Sequence, residues 1–136
     1  MKITKTSGKR KEAIARAILR EGTGIVRINT LQLDVYEPKY AREKIRLPLT
    51  LADDIVDLSK IDIAINIAGG GQMGQADAIA CAIARGLCEH TDNEELYNKY
   101  IKYDRTLIAG DHRQTEVHKP GQSSKGARHK RQKSYR

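Results

Sequence analysis

Gly69, Gly71 and Gly74 stand at the spacing G-x-G-x-x-G within IDIAINIAGGGQMGQADAIACAIA, residues 61–84. Where a strand runs into such a loop and the loop opens a helix, glycines allow close backbone approach. The free N–H groups of the helix terminus then attract phosphate. The chemistry on offer is dinucleotide or other phosphate binding. Two parts of a nucleotide site are missing. About twenty residues on, where a ribose-binding acid should end a second strand, the chain reads EHTDNEEL, a loop and helix start. No Lys-Ser/Thr pair follows Gly74, as a Walker loop requires. The backbone at Gly70, Gly71 and Gln72 suits three uses: a nucleotide, a tight turn, or close approach to an RNA phosphate. On the loop residues alone all three stay open.

Other chemistry finds less support. His90, His112, His118 and His129 are scattered over a helix end and the C-terminal segment, and no closely spaced Cys pair is present to complete a zinc site. Asp53-Asp54 and Glu94-Glu95 sit at helix starts, where carboxylates favour the helix dipole. No motif places a Ser/His/Asp set. The chain reads as a non-enzyme with neither cofactor nor metal.

The elements that must position the glycine loop are legible on both sides of it. In residues 61–68 Ile61, Ile63, Ile65 and Ile67 alternate with Asp62, Ala64, Asn66 and Ala68, a strand with one β-branched face buried. Residues 75–89 form a helix with Ile79, Ile83 and Leu87 on one face and alanines that let it lie close to a sheet. Residues 2–6 read as a short edge strand. Residues 13–22 are helical by propensity, but the turn cluster EGTG and the strand pattern IVRIN that follow favour a hairpin arm. Pro38 is placed at the first position of a helix over 38–47, with Pro48 ending or kinking it and another helical piece after it. Residues 93–103 are a helix capped by Asn93 or Asp92, in which Tyr97, Tyr100 and Tyr103 are packing residues. TLIA (106–109) reads as a last short strand.

A length of 136 residues suggests one domain, with 39% hydrophobic residues to build its core. No apolar run approaches the roughly eighteen residues of a membrane span, and no secretory h-region is present. Cys81 and Cys88 lie seven apart on a helix, about 10 Å by its rise, too far for a disulfide. A cytoplasmic, reducing setting is expected.

Charge distribution is more informative than its total of +8. Residues 1–20 carry seven Lys/Arg against Glu12 alone, net +6, and residues 111–136 carry eight against Asp111 and Glu116, again net +6. The middle is net −4. Positive charge focused at both ends points to a polyanion, nucleic acid above all. The division expected is a globular domain over 1–110 and a basic extended tail over 111–136. Residues 119–136 hold seven Lys/Arg and no acid. They carry too little apolar surface to offset backbone entropy, so the tail is expected to be disordered without RNA. Fully extended, eighteen residues span at most about 60 Å. With no Trp or Phe, phosphate and shape recognition is expected rather than base stacking.

Four blocks in order, GKRKEAIARA (8–17) with GTGIVRIN (22–29), IAGGGQMGQADAIACAIARGL (67–87), DHRQTEVHKPG (111–121) and QKSYR (132–136), closely resemble the S nine family of small-subunit ribosomal proteins in its archaeal/eukaryotic form. The resemblance implies an α+β fold like the second domain of ribosomal protein S five: an about four-stranded mixed sheet with helices packed on it. It implies that residues 13–20 are strand. It implies a place in the head of the small subunit among neighbouring head proteins, bound to the 3′ major domain of the rRNA. The rRNA contacts would come from Lys9, Arg10, Lys11, Arg16, Gly70, Gly71, Gln72, Arg113, Lys119, Lys125, Arg128, Lys130 and Arg131. The tip, Lys133, Ser134, Tyr135 and Arg136, would reach the anticodon stem-loop of the peptidyl-site tRNA. One departure is Arg131, where relatives often carry an aromatic residue. Some small-molecule kinases share this fold and its glycine loop, but they are about twice as long and have a second domain. The alternative reading is a small nucleotide-binding enzyme using the Gly69–Gly74 loop.

Overall fold

The computed structural model describes residues 1–131. Five strands form one mixed sheet: β1 (Ile3–Arg10), β2 (Ala13–Glu21), β3 (Val26–Ile28), β4 (Leu31–Gln32) and β5 (Ile61–Ala68). Their spatial order is β1-β2-β5-β3-β4. All neighbours are antiparallel except β3 and β5, which run parallel. Four helices, α1 (Lys39–Ala52), α2 (Gln72–Thr91), α3 (Glu94–Tyr103) and α4 (Thr106–Ala109), complete the α+β architecture. The sheet has one strand more than expected, because the short β4 closes a hairpin on β3 through Asn29 and Thr30, both at positive φ.

Residues 13–21 form the strand β2, but not as a hairpin arm with residues 25–29: β5 lies between β2 and β3, and β2 makes its hairpin with β1. The faces of β2 divide as the alternation sets them, with Arg16 and Arg20 sharing the open face and the wholly apolar face turned inward. Ala13, Ala15, Ala17 and Leu19 are buried, while Ile14 and Ile18 are 42% and 41% exposed. The inward face meets α2. This helix lies so close to β1 and β2 that only small residues fit between them. A side chain at Gly8 would meet the α2 backbone, and one at Gly86 would meet Leu19 and Thr6. Alanines 76, 78, 80, 82 and 84 are all buried on α2, as their stripe suggested. The isoleucines of β5 are all buried, at 2–7% exposure.

Four further local expectations are corrected. The first strand runs on to Arg10 rather than stopping near residue 6. Pro38 caps α1 instead of starting it, and Pro48 lies inside the helix. The lost backbone bond there, with the ring's steric clash, costs about 3 kcal/mol in a free helix. Here the Pro48 ring is buried in the core, and its carbonyl accepts the buried Tyr100 hydroxyl at 2.7 Å. TLIA is the helix α4, not a strand. Asp104 accepts bonds from the Thr106 amide (2.9 Å) and hydroxyl (2.8 Å) and turns the chain, and four apolar-rich residues cannot separate the two periods. Of the three tyrosines of α3 only Tyr100 packs; Tyr97 and Tyr103 are 44% and 57% exposed. Asn93 caps α3 as expected, accepting from the Glu95 and Leu96 amides.

Both cysteines are free thiols. Burial raises the Cys81 pKa and pushes that of Cys88 up to about 11. Neither is poised as a nucleophile.

Candidate nucleic-acid interface

The two basic ends of the sequence meet in space. β1 ends at Arg10, and Lys11 and Glu12 turn the chain into β2. Directly beside this turn, Gly69 and Gly70 take positive φ and deliver the chain to the N-terminus of α2 at Gly71. Only Gly fits here: a side chain at Gly70 would fall 3.0 Å from Ala13 N, in a backbone region that L residues avoid. The segment after α4 returns to the same corner. One concave surface is lined by Arg10, Lys11, Glu12, Gly70, Gly71, Met73, Asp77 and Thr115.

Arg10 is the joint. Its side chain is only 14% exposed, and its Nη2 lies 3.4 Å from Asp111 Oδ2 and its Nε 3.8 Å from Asp77 Oδ2. Its Nη1 donates to the Arg113 carbonyl at 3.0 Å, across 103 residues of sequence. Asp77 also receives Lys44 Nζ at 2.5 Å, so β1, α1 and α2 are tied at one carboxylate. Asp111 accepts from Arg113 Nε and the Arg113 amide, each at 3.0 Å. The Arg113 guanidinium, then its amide, and Arg10 beyond them hold the Asp111 carboxyl well below the usual carboxylate range. A depressed folded pKa means the clamp is fully made above the ordinary carboxylate pKa. It is lost only as pH falls through the lowered value, so it is intact at neutral pH. Arg85 adds a second tie, donating through Nε to Ile108 O (2.6 Å) and through Nη1 to Ser7 O (2.9 Å).

Asp111→Ala is expected to free the start of the arm without harming the core. Exchange of the Arg113 amide should quicken at least tenfold by hydrogen-exchange mass spectrometry or NMR, with β5 amides unchanged. Unchanged protection at Arg113 would mean that the carboxylate does not hold the arm.

Of the residues singled out from sequence, Arg10, Lys11, Gly70 and Gly71 are brought together at this corner. Gln72 begins α2, and its Oε1 accepts the Tyr40 hydroxyl at 2.9 Å. Lys9 and Arg16 do not point to the corner. They lie exposed on the uncovered face of the sheet. Arg113 is occupied by Asp111, although three-quarters of its side chain is exposed. Beyond it the arm is a series of turns: Gly121 N–H donates to Ala127 O (2.8 Å), Ser123 N–H to Lys119 O (3.1 Å) and Gly126 N–H to Ser123 O (3.0 Å). Along these turns Lys119, Lys125, Arg128, Lys130 and Arg131 are all exposed. Glu116 accepts Ser124 Oγ at 2.9 Å, and serine hydroxyls hold its pKa below the usual value. Lys133, Ser134, Tyr135 and Arg136 lie outside the described residues. Sequence reasoning missed Asp77 and Arg85, whose partners are far away in the chain, and the long-range contact of Asp111 with Arg10. The glycine loop has no second strand after α2 among the described residues, since α3 and α4 follow it.

The family model described as "Ribosomal protein S9/S16" matches residues 8–136. The small ribosomal subunit protein uS9 of Methanococcus maripaludis (strain C7) is 49% identical over 136 residues, covering 100% of both chains. The protein of the same name from Methanococcus vannielii is 47% identical over the same full length. A basic corner built from both chain ends, on an α+β core matched from end to end, places the sequence: the chain belongs to the ribosomal protein uS9 family, in its archaeal form, as a structural constituent of the small ribosomal subunit.

Proposed function

We propose that this protein binds the 3′ major domain of small-subunit rRNA in the subunit head, beside neighbouring head proteins, and that its C-terminal tip reaches the anticodon stem-loop of the peptidyl-site tRNA. The observation that carries this reading is the Arg10–Asp111–Arg113 junction. It makes two +6 segments, separated by a net-negative middle, leave from one corner. Lys9, Lys11 and Arg16, with the backbone at Gly70, Gly71 and Gln72, contact rRNA phosphate from the core. Lys119, Lys125, Arg128, Lys130 and Arg131 continue that contact along the arm. Arg10 and Arg113 serve by aiming the arm, since their guanidinium groups are already engaged. Lys133, Ser134, Tyr135 and Arg136 form the tip at the tRNA.

Phosphate recognition of this kind is ionic and releases counterions. If about five arm cations contact phosphates, log affinity for a transcript of the 3′ major domain should fall against log salt with a slope of about −3 to −5. A filter-binding or fluorescence titration at several salt concentrations reads it directly. A flat response would remove the phosphate-binding reading.

A further inference from the structure

The helices cover one face of the sheet and leave the other open. On the open face the antiparallel register sets cations beside isoleucines: Ile3 beside Arg20, Lys5 beside Ile18, Ser7 beside Arg16 and Lys9 beside Ile14. The next strand contributes only small or short residues, with Asp62 beside Arg20, Ala64 beside Ile18, Asn66 beside Arg16 and Ala68 beside Ile14. Arg27 of β3 lies alongside Ala64. The result is a trough along β5. One stretch of it is lined by Arg16, Ile18, Asn29, Thr30, Ala64 and Asn66. The adjoining stretch shares Arg16 and Asn66 and runs to Gly69 and Glu12 at the basic corner. Its far wall is rigid. The Asn29 side chain accepts from Ile67 N (2.9 Å) and donates to Ile67 O (3.1 Å), continuing the β3 ladder past its last backbone pair.

Charge decides what this trough fits. Lys5, Lys9, Arg16, Arg20 and Arg27 have no carboxylate of the described residues within 4 Å, whereas Lys44, Arg46, Lys60, Lys99 and Arg113 are each ion-paired. The one acid facing this set within the sheet, Asp62, is spent internally: it accepts from the Ile25 and Thr23 amides at 3.0 and 2.8 Å. These bonds hold its pKa below the ordinary value. Glu12 lies only at the trough's end. A protein partner would have to bring several carboxylates at strand spacing, whereas a nucleic-acid backbone supplies phosphates along its whole length. Among the described residues no aromatic side chain stands on this face, so none of them offers bases a surface to stack on.

We propose that the open sheet face is a second rRNA surface, in which one sugar-phosphate strand lies along β5. The five cations flank that strand, ribose rests on Ile14 and Ile18, and Ala64 and Ala68 permit its close approach. This rests on the rRNA-binding reading and adds a face to it that is separate from the arm.

The test uses the full chain and a transcript of the 3′ major domain. Arg16→Gln, Arg20→Gln and Arg27→Gln are combined, and compared with Lys60→Gln, Lys99→Gln and Lys102→Gln, which remove the same charge from other surfaces. The sheet-face triple should lessen the salt slope by about 2 to 3 and weaken binding about tenfold or more, with the control slope changed by less than 1. Ala64→Glu, an exposed position, should weaken binding comparably by placing a carboxylate in the trough. Thermal melts establish that each variant is folded. Independently, a hydroxyl-radical probe on Ile18→Cys in assembled subunits should cut rRNA. Equal effects from the two triples, or a probe at residue 18 that marks only protein, would overturn the sheet-face surface while leaving the arm's binding intact. Failure of the unmodified chain to bind the transcript would instead overturn the broader reading and this one with it.

Discussion

Gly8→Ala is expected to cost about 3 kcal/mol and to lower the unfolding midpoint by about 10 °C. Gly8 lies in β1 opposite Ala15, where α2 presses on the sheet. An added Cβ would overlap the Ala78 carbonyl oxygen and stand 2.8 Å from Ala82 N and 3.1 Å from Cys81 Cβ. Two of these three atoms are helix backbone, so no side-chain rotation relieves the clash. Either α2 moves off the sheet, opening gaps around Ile79 and Ile83, or β1 leaves the register that carries Arg10 to Asp111. A domain holds only about 5–15 kcal/mol in total, so the loss is a large share. Gly71→Ala is the contrast. A Cβ there meets nothing within 4 Å, and as a helix cap the change should cost less than about 1 kcal/mol. Paired thermal or urea melts read both. A Gly8→Ala protein as stable as the parent would mean that the close approach of α2 to the sheet does not require glycine at this position.

Removing Lys133 to Arg136 is expected to leave the melt unchanged and to weaken tRNA in the peptidyl site about tenfold to a hundredfold. Two cations and two hydrogen-bonding side chains are lost. Charge-assisted bonds contribute about 1.5–3 kcal/mol each, and every 1.4 kcal/mol is tenfold in affinity. Arg136 can grip a phosphate with two parallel N–H bonds, which lysine cannot. The rRNA salt slope should fall by no more than about 2, because the arm cations from Lys119 to Arg131 remain. Truncated subunits that hold peptidyl-site tRNA at normal affinity would end the role given to the tip. A large drop in rRNA binding would instead move these residues from tRNA to rRNA.

Much of the fold could be read along the chain. Local patterns report local geometry, so the strictly alternating isoleucines of β5 and the Asn93 cap of α3 were legible. Pro48 was not, since only a buried ring and the Tyr100 hydroxyl make its place in α1 tolerable. The two faces of β2 were legible: Ile14 and Ile18 share theirs with Arg16 and Arg20, whose charges keep it open, while the opposite face is wholly apolar.

The candidate interface divides in the same way. By itself the sequence determined that positive charge sits at both ends, that the glycine loop lacks the partners of a nucleotide site, and which family the four blocks resemble. Each is a matter of residue type and spacing. Only the tertiary structure decided which cations are available. Arg10 and Lys9 are neighbours with the same charge, yet strand alternation turns Arg10 inward to Asp77 and Asp111 and leaves Lys9 on the open face. Ion pairing depends on distances of a few ångströms between groups up to a hundred residues apart. No local pattern encodes those distances, and they exist only once the sheet has set its register.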